Sequence, residues 1–423
     1  MTSEEAPASG GQARFRKPGR RIAVAAALAM VVVIAGGIAM TMTLAGTPAA
    51  ASPSPSEVAL ASATASPSPS PTPTPTPTPT PVPTPTPQQY WEATTSGVLL
   101  PASEAALATR HPIAVMIDDQ IKARPQAGLS QADVVYQAPA EGGVPRYMAI
   151  FQTKDPGLIG PIRSARLYFV AWAEEWRALY VHVGGATNAM QYIYANNGNY
   201  VFNADEIHWG IRTGYFDRVG FRMSPHNVFT SGVRLQALCT RVAKIVGTTK
   251  ATAPMTQAFW TFTDPVPMYD RPYGGSILVP YYANRVSYRY DRVTNTYVRS
   301  VTGEAVQTDY GSKNPVTPTT VVVLFQQVGY MAYNPTTADA RKGRLEIQFN
   351  GKGRAMVFEN GQAIAAVWSK KNDYAPTLLA YASGAHKGEP LPFVRGQIFV
   401  QVVPAELPVT WTVGTSPSPT NGL

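Results

Sequence analysis

Hydrophobic residues fall along this chain in three regimes. The first is a largely apolar run, Ile22 to Leu44, of 23 uncharged residues. As a helix it would span roughly 34 Å, enough for a hydrocarbon core of about 30 Å. The second, residues 45–90, is built of Ala, Ser, Thr and Pro and ends in a Pro-Thr repeat over Pro71 to Pro87. It has no apolar surface to offset its ordering entropy, so it reads as a disordered linker. Extended at about 3.1 Å per residue, the repeat would make a stalk of roughly 50 Å.

The third regime folds, and its periodicity changes near residue 250. From 100 to 249 short apolar strands alternate with helical patterns. Ile113–Ile117, Val134–Gln137, Tyr147–Phe151 and Tyr180–Val183 read as strands. A helix capped by Ser164 and running to Tyr180 would carry Leu167, Trp172, Trp176 and Leu179 as its apolar stripe. With Tyr168 and Phe169 these aromatics sit at core spacing; on a surface they would suit sugar stacking. Asn188–Ala195 forms a short helix. Ser231 would cap Val233–Val246, whose stripe is Leu235, Leu238, Cys239, Val242 and Val246. From 251 to 410 the pattern is β-rich: Ser287–Asp291, Val321–Phe325, Arg344–Phe349, Arg354–Phe358, Ala363–Trp368, and Ile398–Val403 closing the sheet. Asn350-Gly351 and Asn360-Gly361 are hairpin signals. Residues 411–423 read as a disordered tail. The fold class is therefore α+β: a mixed α/β N-terminal domain and a β-rich C-terminal one, behind one transmembrane helix and a Pro/Thr stalk.

Charge orients this plan. Arg14, Arg16, Lys17, Arg20 and Arg21 make residues 1–21 a basic cytoplasmic tail, so the positive-inside rule exports the rest. The expected location is a bacterial cell membrane, single-pass, with the folded domains extracytoplasmic. A cleaved signal peptide ending near Ala49-Ala50-Ala51 is the alternative. The net charge of +9 includes no dense Lys/Arg run beyond the N-terminus, so no nucleic-acid partner is expected. The single cysteine, Cys239, excludes an internal disulfide, a Cys-cluster metal site and lipid attachment after the apolar run. On its helical stripe it reads as a buried hydrophobe.

Several segments carry a family resemblance: PIAVMIDDQIKARPQAGLSQADVVYQAPAEGGVPRYMAIFQ, then GPIRSARLYF, VHVGGA and SPHNVF. They are similar to the YerB-like bacterial envelope family, domain of unknown function 3048, which has N- and C-terminal domains. The likeness is close over Ala108–Val246. It continues through RLEIQFNGKGRAMVFENGQAIAAVWSK to FVQVVP, with Ile398-Phe399 where the family tends towards Thr-Trp. Many members look like lipoproteins, whereas this chain has an apolar segment in that place. The resemblance implies a location and an architecture but no activity.

The sequence contains no GxSxG, HExxH, Walker A or GxGxxG motif, so no familiar nucleophile is indicated. Charge instead gathers in the family segments. Asp118 and Asp119 end a strand, where they could hold a divalent cation such as Mg²⁺ or merely turn the chain. Arg124 and Arg146 flank strands, with Glu141 between them, and Arg163 and Arg166 bracket Ser164 at the predicted helix start. Guanidinium forks at a helix N-terminus suit phosphate or carboxylate. The same arginines could instead pair internally with Asp118, Asp119, Asp133 and Glu141. His182 and His226 are proton shuttles or structural histidines. His111, His208 and His386 give no signal.

These residues point first to a binding or scaffolding module for a cell-wall glycan, an anionic polymer or an envelope protein, with no resident cofactor. The alternative is a metal-dependent envelope enzyme acting on a phosphorylated glycan or lipid-linked precursor. Its plan resembles that of the LytR–CpsA–Psr wall-polymer transferases in architecture alone.

Overall fold

Apolar runs from both sides of residue 250 enter a single sheet in the computed structural model, which describes residues 88–207, 211–331, 339 and 342–415. The basic tail, the apolar run 22–44, nearly all of the Pro-rich linker and residues 416–423 lie outside the described residues. Among the described residues no helix is long and apolar enough to cross a membrane.

The first half supplies β1 (Ile113–Asp118), β2 (Val134–Pro139), β3 (Pro145–Phe151), β4 (Leu179–His182) and β5 (Phe202–Asp205). The second supplies β6 (Tyr273–Pro280), β7 (Arg285–Asp291), β8 (Thr296–Val301), β9 (Thr320–Gln326), β10 (Gly351–Glu359), β11 (Gln362–Lys370), β12 (Leu378–Tyr381), β13 (Ile398–Pro404) and β14 (Thr410–Thr415). A ten-stranded sheet runs β12-β11-β10-β9-β13-β2-β3-β1-β4-β5, and a four-stranded one β8-β7-β6-β14.

The seam is β13. It pairs in parallel with β9 through Ile398↔Thr320 and with β2 through Ile398↔Val134. Expected to close a sheet, it instead lies in the middle and joins the halves. Its run IFVQVV is buried on both faces, the pattern of a central parallel strand. Residue 250 thus marks a change of composition inside one shared core.

Among the described residues the three helices longer than one turn complete the layers: α1 (Leu167–Glu175), α2 (Thr187–Asn196) and α3 (Gly232–Val246). Period-two alternation along β1 sends Ala114 and Met116 to the face covered by α1 and α2, where Tyr168, Phe169, Trp172 and Trp176 form core. Ile113, Val115 and Ile117 go to the other face, against Leu235, Leu238, Cys239 and Val242 of α3. Further along that face the four-stranded sheet packs Ile277, Val279, Val286 and Tyr288 onto Val321, Val323, Phe325 and Val403.

Several local expectations need correction. Ser164 does not cap α1: the helix starts after Arg166, which is extended at φ −135°. It stops at Glu175, because Arg177 turns to φ +50° and releases the chain into β4. Ser231 precedes α3 but makes no side-chain cap bond. Asn360-Gly361, at φ 51° and 71°, forms the two-residue turn between Glu359 and Gln362. Asn350-Gly351 makes no hairpin, since Leu345–Ile347 pairs with Val328–Tyr330 instead. The tail predicted from 411 begins as β14, antiparallel to β6 through Ile277↔Trp411.

Candidate functional site

β1, β4 and β5 are parallel. The chain leaves β1 towards β2 and β3 on one side and returns to β4 on the other. This reversal of direction makes the carboxyl edge of β1 and β4 the usual position for a ligand in such sheets. The GPIRSAR segment crosses that edge: Arg163 N–H donates to Met116 C=O at 2.9 Å, and Val183 N–H to Arg163 C=O at 3.1 Å.

Asp118 stands at the end of β1, 1 % exposed. Its Oδ2 lies 2.7 Å from His226 Nδ1 and 3.0 Å from Arg163 Nε, and its Oδ1 accepts Gln120 N–H at 3.0 Å. Arg163 also donates to Pro225 C=O at 3.3 Å. Residues 45 or more positions apart in sequence are thereby assembled as an Asp–His pair braced by a guanidinium. The contact fixes the imidazole by Nδ1 and leaves Nε2 as its opposite edge.

Asp119 belongs to a different network. Successive residues of extended chain point to opposite faces, so its carboxylate turns towards the four-stranded sheet. There it pairs with Arg124 at 3.0 Å and accepts from Tyr147 at 2.9 Å, Gln137 at 2.7 Å and Asn284 at 2.7 Å. Burial raises its pKa, and the neighbouring Arg124 and Arg299 charges oppose that rise. Arg299, wholly buried, donates to Gln137 Oε1 at 2.6 Å, to Tyr288 at 3.1 Å and to Gln307 Oε1. This interior lattice ties β2 and β3 to β7 and β8. The two adjacent carboxylates therefore serve separate networks, each already holding a guanidinium. Among the described residues no group of three or more His, Cys, Asp and Glu is placed to hold a metal ion.

Glu141 gathers the remaining arginines. The Gly142-Gly143 turn, at φ 67° and 71°, folds the loop between β2 and β3 back on itself. Arg166 grips the carboxylate with two bonds, 2.5 and 2.7 Å; Arg344 adds one at 2.8 Å and Arg146 one at 3.3 Å. Burial would raise this carboxyl, but the arginines outweigh it and hold it down at about 2. Burial, with the charge of Arg166, brings Arg146 down to about 10. Arg344 also pairs with Asp339 at 2.7 Å, and Asp339 accepts Thr187 N–H at 2.6 Å at the start of α2. Of the predicted set, Ser164 contributes only its carbonyl, which accepts Arg146 at 2.8 Å. Asp133 binds no arginine among the described residues; it takes Gln152 N–H at 2.6 Å and Thr153 N–H at 3.0 Å.

Beside this cluster lies a cavity of about 450 Å³ between the starts of α1 and α2 and the Val328–Tyr330 and Leu345–Ile347 pair. Arg166, Arg344, Asn188, Gln327, Gln348 and the carboxylate-bearing Glu346 are its polar side chains, and Leu167, Met331 and Phe349 are among its apolar residues. Two guanidiniums face an amphiphilic space, and with five N–H donors each they retain hydrogens beyond the bonds already made.

His182 stands apart from the cluster. Wholly buried, it bridges Gly184 C=O at 2.9 Å and Asn203 Oδ1 at 2.7 Å between β4 and β5. Burial pushes the Cys239 thiol up to about 12, as befits a core residue. His208 lies outside the described residues.

Sequence reading missed Arg344, Arg299 and Asn284. Arg299 left a signal, for it shares the inward register of β8 with Tyr297 and Val301. Arg344 left none, because its partner Glu141 is 203 positions away.

The chain matches the family described as protein of unknown function (DUF3048), its N-terminal domain over residues 99–245 and its C-terminal domain over 277–400. A Bacillus subtilis (strain 168) protein, YerB, named as a candidate lipoprotein, is 29% identical over 306 residues, covering 71% of this chain and 84% of its own. The crystal structure of YerB superposes with a TM-score of 0.62 at 25% identity, covering 76% of this chain and 99% of that one. The chain belongs to the DUF3048, YerB-like family.

Proposed function

We propose that this family member is an envelope-located binding protein that takes an anionic ligand with an apolar body into the cavity beside Glu141. The observation that carries this reading is the pairing of Arg166 and Arg344 on one lining with Leu167, Met331 and Phe349. Three arginines (Arg146, Arg166, Arg344) meet two carboxylates (Glu141, Asp339), and Glu346 on the same lining brings the formal balance to zero, so a ligand's phosphate or carboxylate would be held by the guanidinium N–H groups that those contacts leave free. Envelope location is supported by the lipoprotein description of the relative and by the apolar run 22–44. The chain has no cysteine directly after that run for a lipid to occupy, its one cysteine being Cys239, so the run itself would be the single membrane span. A glycan, an anionic wall polymer or a lipid-linked precursor would supply the anion.

A thermal-shift series on residues 88–415 tests it, with farnesyl phosphate, farnesol and inorganic phosphate as probes. Farnesyl phosphate should raise the melting temperature saturably, and Arg344→Ala should abolish the rise. Equal shifts in wild type and Arg344→Ala would refute the site.

A second reading has one observation behind it. Asp118 holds His226 by Nδ1, the arrangement by which a carboxylate orients an imidazole for proton transfer at Nε2. In that reading the site turns over a phosphorylated glycan, aided by a divalent cation, and His226→Ala abolishes turnover without changing farnesyl phosphate affinity.

A further inference from the structure

A second and larger cleft, about 810 Å³, opens at the opposite end of the parallel strands, where Pro112 leads into β1. We propose that this cleft is a binding site for an acidic saccharide, stacked on Tyr374 and held at its charge by Lys250 and Arg177.

The platform is built in advance. Tyr374 stacks on Tyr200 with ring centroids 4.0 Å apart and planes 6° from parallel. The Arg177 guanidinium also packs on Tyr200, 4.7 Å from its centroid. Tyr374 nevertheless stays 41% exposed, so ring surface remains for a ligand. Arg177 is held at φ +50°, a conformation in which glycine is the low-cost residue. An arginine kept there both ends α1 and places its charge at the cleft.

The lining chemistry selects the ligand class. Phe259 and Tyr374 offer ring surface, while Asn199, Thr256 and Gln257 offer neutral donors and acceptors. This mixture suits a sugar, which has an apolar C–H face and a hydroxyl rim. Lys250 and Arg177 add positive charge. The only carboxylate on the lining, Glu175, is already taken by Tyr136, Lys370 and Thr377. The charge balance therefore favours an anionic sugar over a neutral one. His111 Nδ1–H donates to Ala253 C=O at 2.9 Å and leaves Nε2 without a partner among the described residues. Burial keeps this imidazole neutral down to about pH 4.

Isothermal titration calorimetry of the full chain in detergent micelles tests the proposal, with hexagalacturonate as the probe. Maltohexaose supplies the neutral-sugar arm and short-chain polyphosphate the sugar-free anion. Hexagalacturonate should bind saturably, and maltohexaose and polyphosphate at least about tenfold more weakly. Tyr374→Ala should weaken hexagalacturonate about tenfold, Tyr374→Phe should restore it, and Lys250→Ala should weaken it and flatten its salt dependence. Arg289→Ala, an exposed cation on β7 away from both cavities, should leave it unchanged. No saturable heat, polyphosphate binding as tightly as hexagalacturonate, or affinity unmoved by both Tyr374→Ala and Lys250→Ala would overturn it. Both positions lie on the surface, and matching melting curves would show that each variant folds.

Discussion

Replacing Glu141 by glutamine removes the charge that neutralises three arginines while keeping the side chain's shape. The carboxyl is carried from its ordinary 4.5 down to about 2. At 1.36 kcal/mol per tenfold that corresponds to roughly 3 kcal/mol, and partial exposure of the side chain brings the expectation to about 2 kcal/mol. The folded-state pKa is depressed, so the stabilisation is fully present above 4.5 and is lost as pH falls towards 2. Urea unfolding of residues 88–415 should therefore show Glu141→Gln about 2 kcal/mol less stable at pH 7, with the gap narrowing steadily between pH 4.5 and 3. The same variant should bind farnesyl phosphate more tightly, because it frees donors on Arg146, Arg166 and Arg344. A gap of the same size at pH 3 and pH 7 would refute the electrostatic account. So would wild-type stability at pH 7.

Other predictions follow from the same contacts. Asp119→Ala leaves Arg124 and Arg299 facing a buried site with no carboxylate, and should cost about 3–5 kcal/mol in urea unfolding. Trp172→Ala removes a fully buried ring stacked on Tyr136 at 5.5 Å, and should also cost about 3–5 kcal/mol. Gly361→Ala places a Cβ 2.5 Å from Tyr290 at φ 71° and should cost about 1–3 kcal/mol, measurable as a lower urea midpoint. Cys239, buried and with its thiol pushed up to about 12, should resist maleimide labelling in the folded protein and react fully in urea.

What could be read from sequence was what depends on near neighbours. The stripe of Leu235, Leu238, Cys239 and Val242 specified α3, and Asn360-Gly361 specified the β10–β11 turn. Reading failed where partners lie far apart. IFVQVV is visibly a buried strand, yet nothing within it says that it will sit between Thr320 and Val134. Trp411 and Val413 alternate as a strand would, but their partner β6 lies more than 130 positions earlier. The site shows the same division. Arg146, Arg163 and Arg166 were legible because charge is scarce among the apolar residues around them. The sequence left open which carboxylate each would meet. Glu141 took Arg166 and Arg146, Asp118 took Arg163 and His226, and Asp119 turned inward to Arg124. The acidic pair looked like one ligand set in one dimension, and the pleat of extended chain separated it into two.

The central claim, an anion held by Arg166 and Arg344 over an apolar cavity, is tested most directly by calorimetric titration of farnesyl phosphate into wild type and an Arg166→Ala/Arg344→Ala double variant. Saturable binding to wild type, at least about a hundredfold weaker in the double variant and weakened by added salt, is the predicted result. Equal affinity in the two proteins, or binding of farnesol as tight as that of its phosphate, would contradict it.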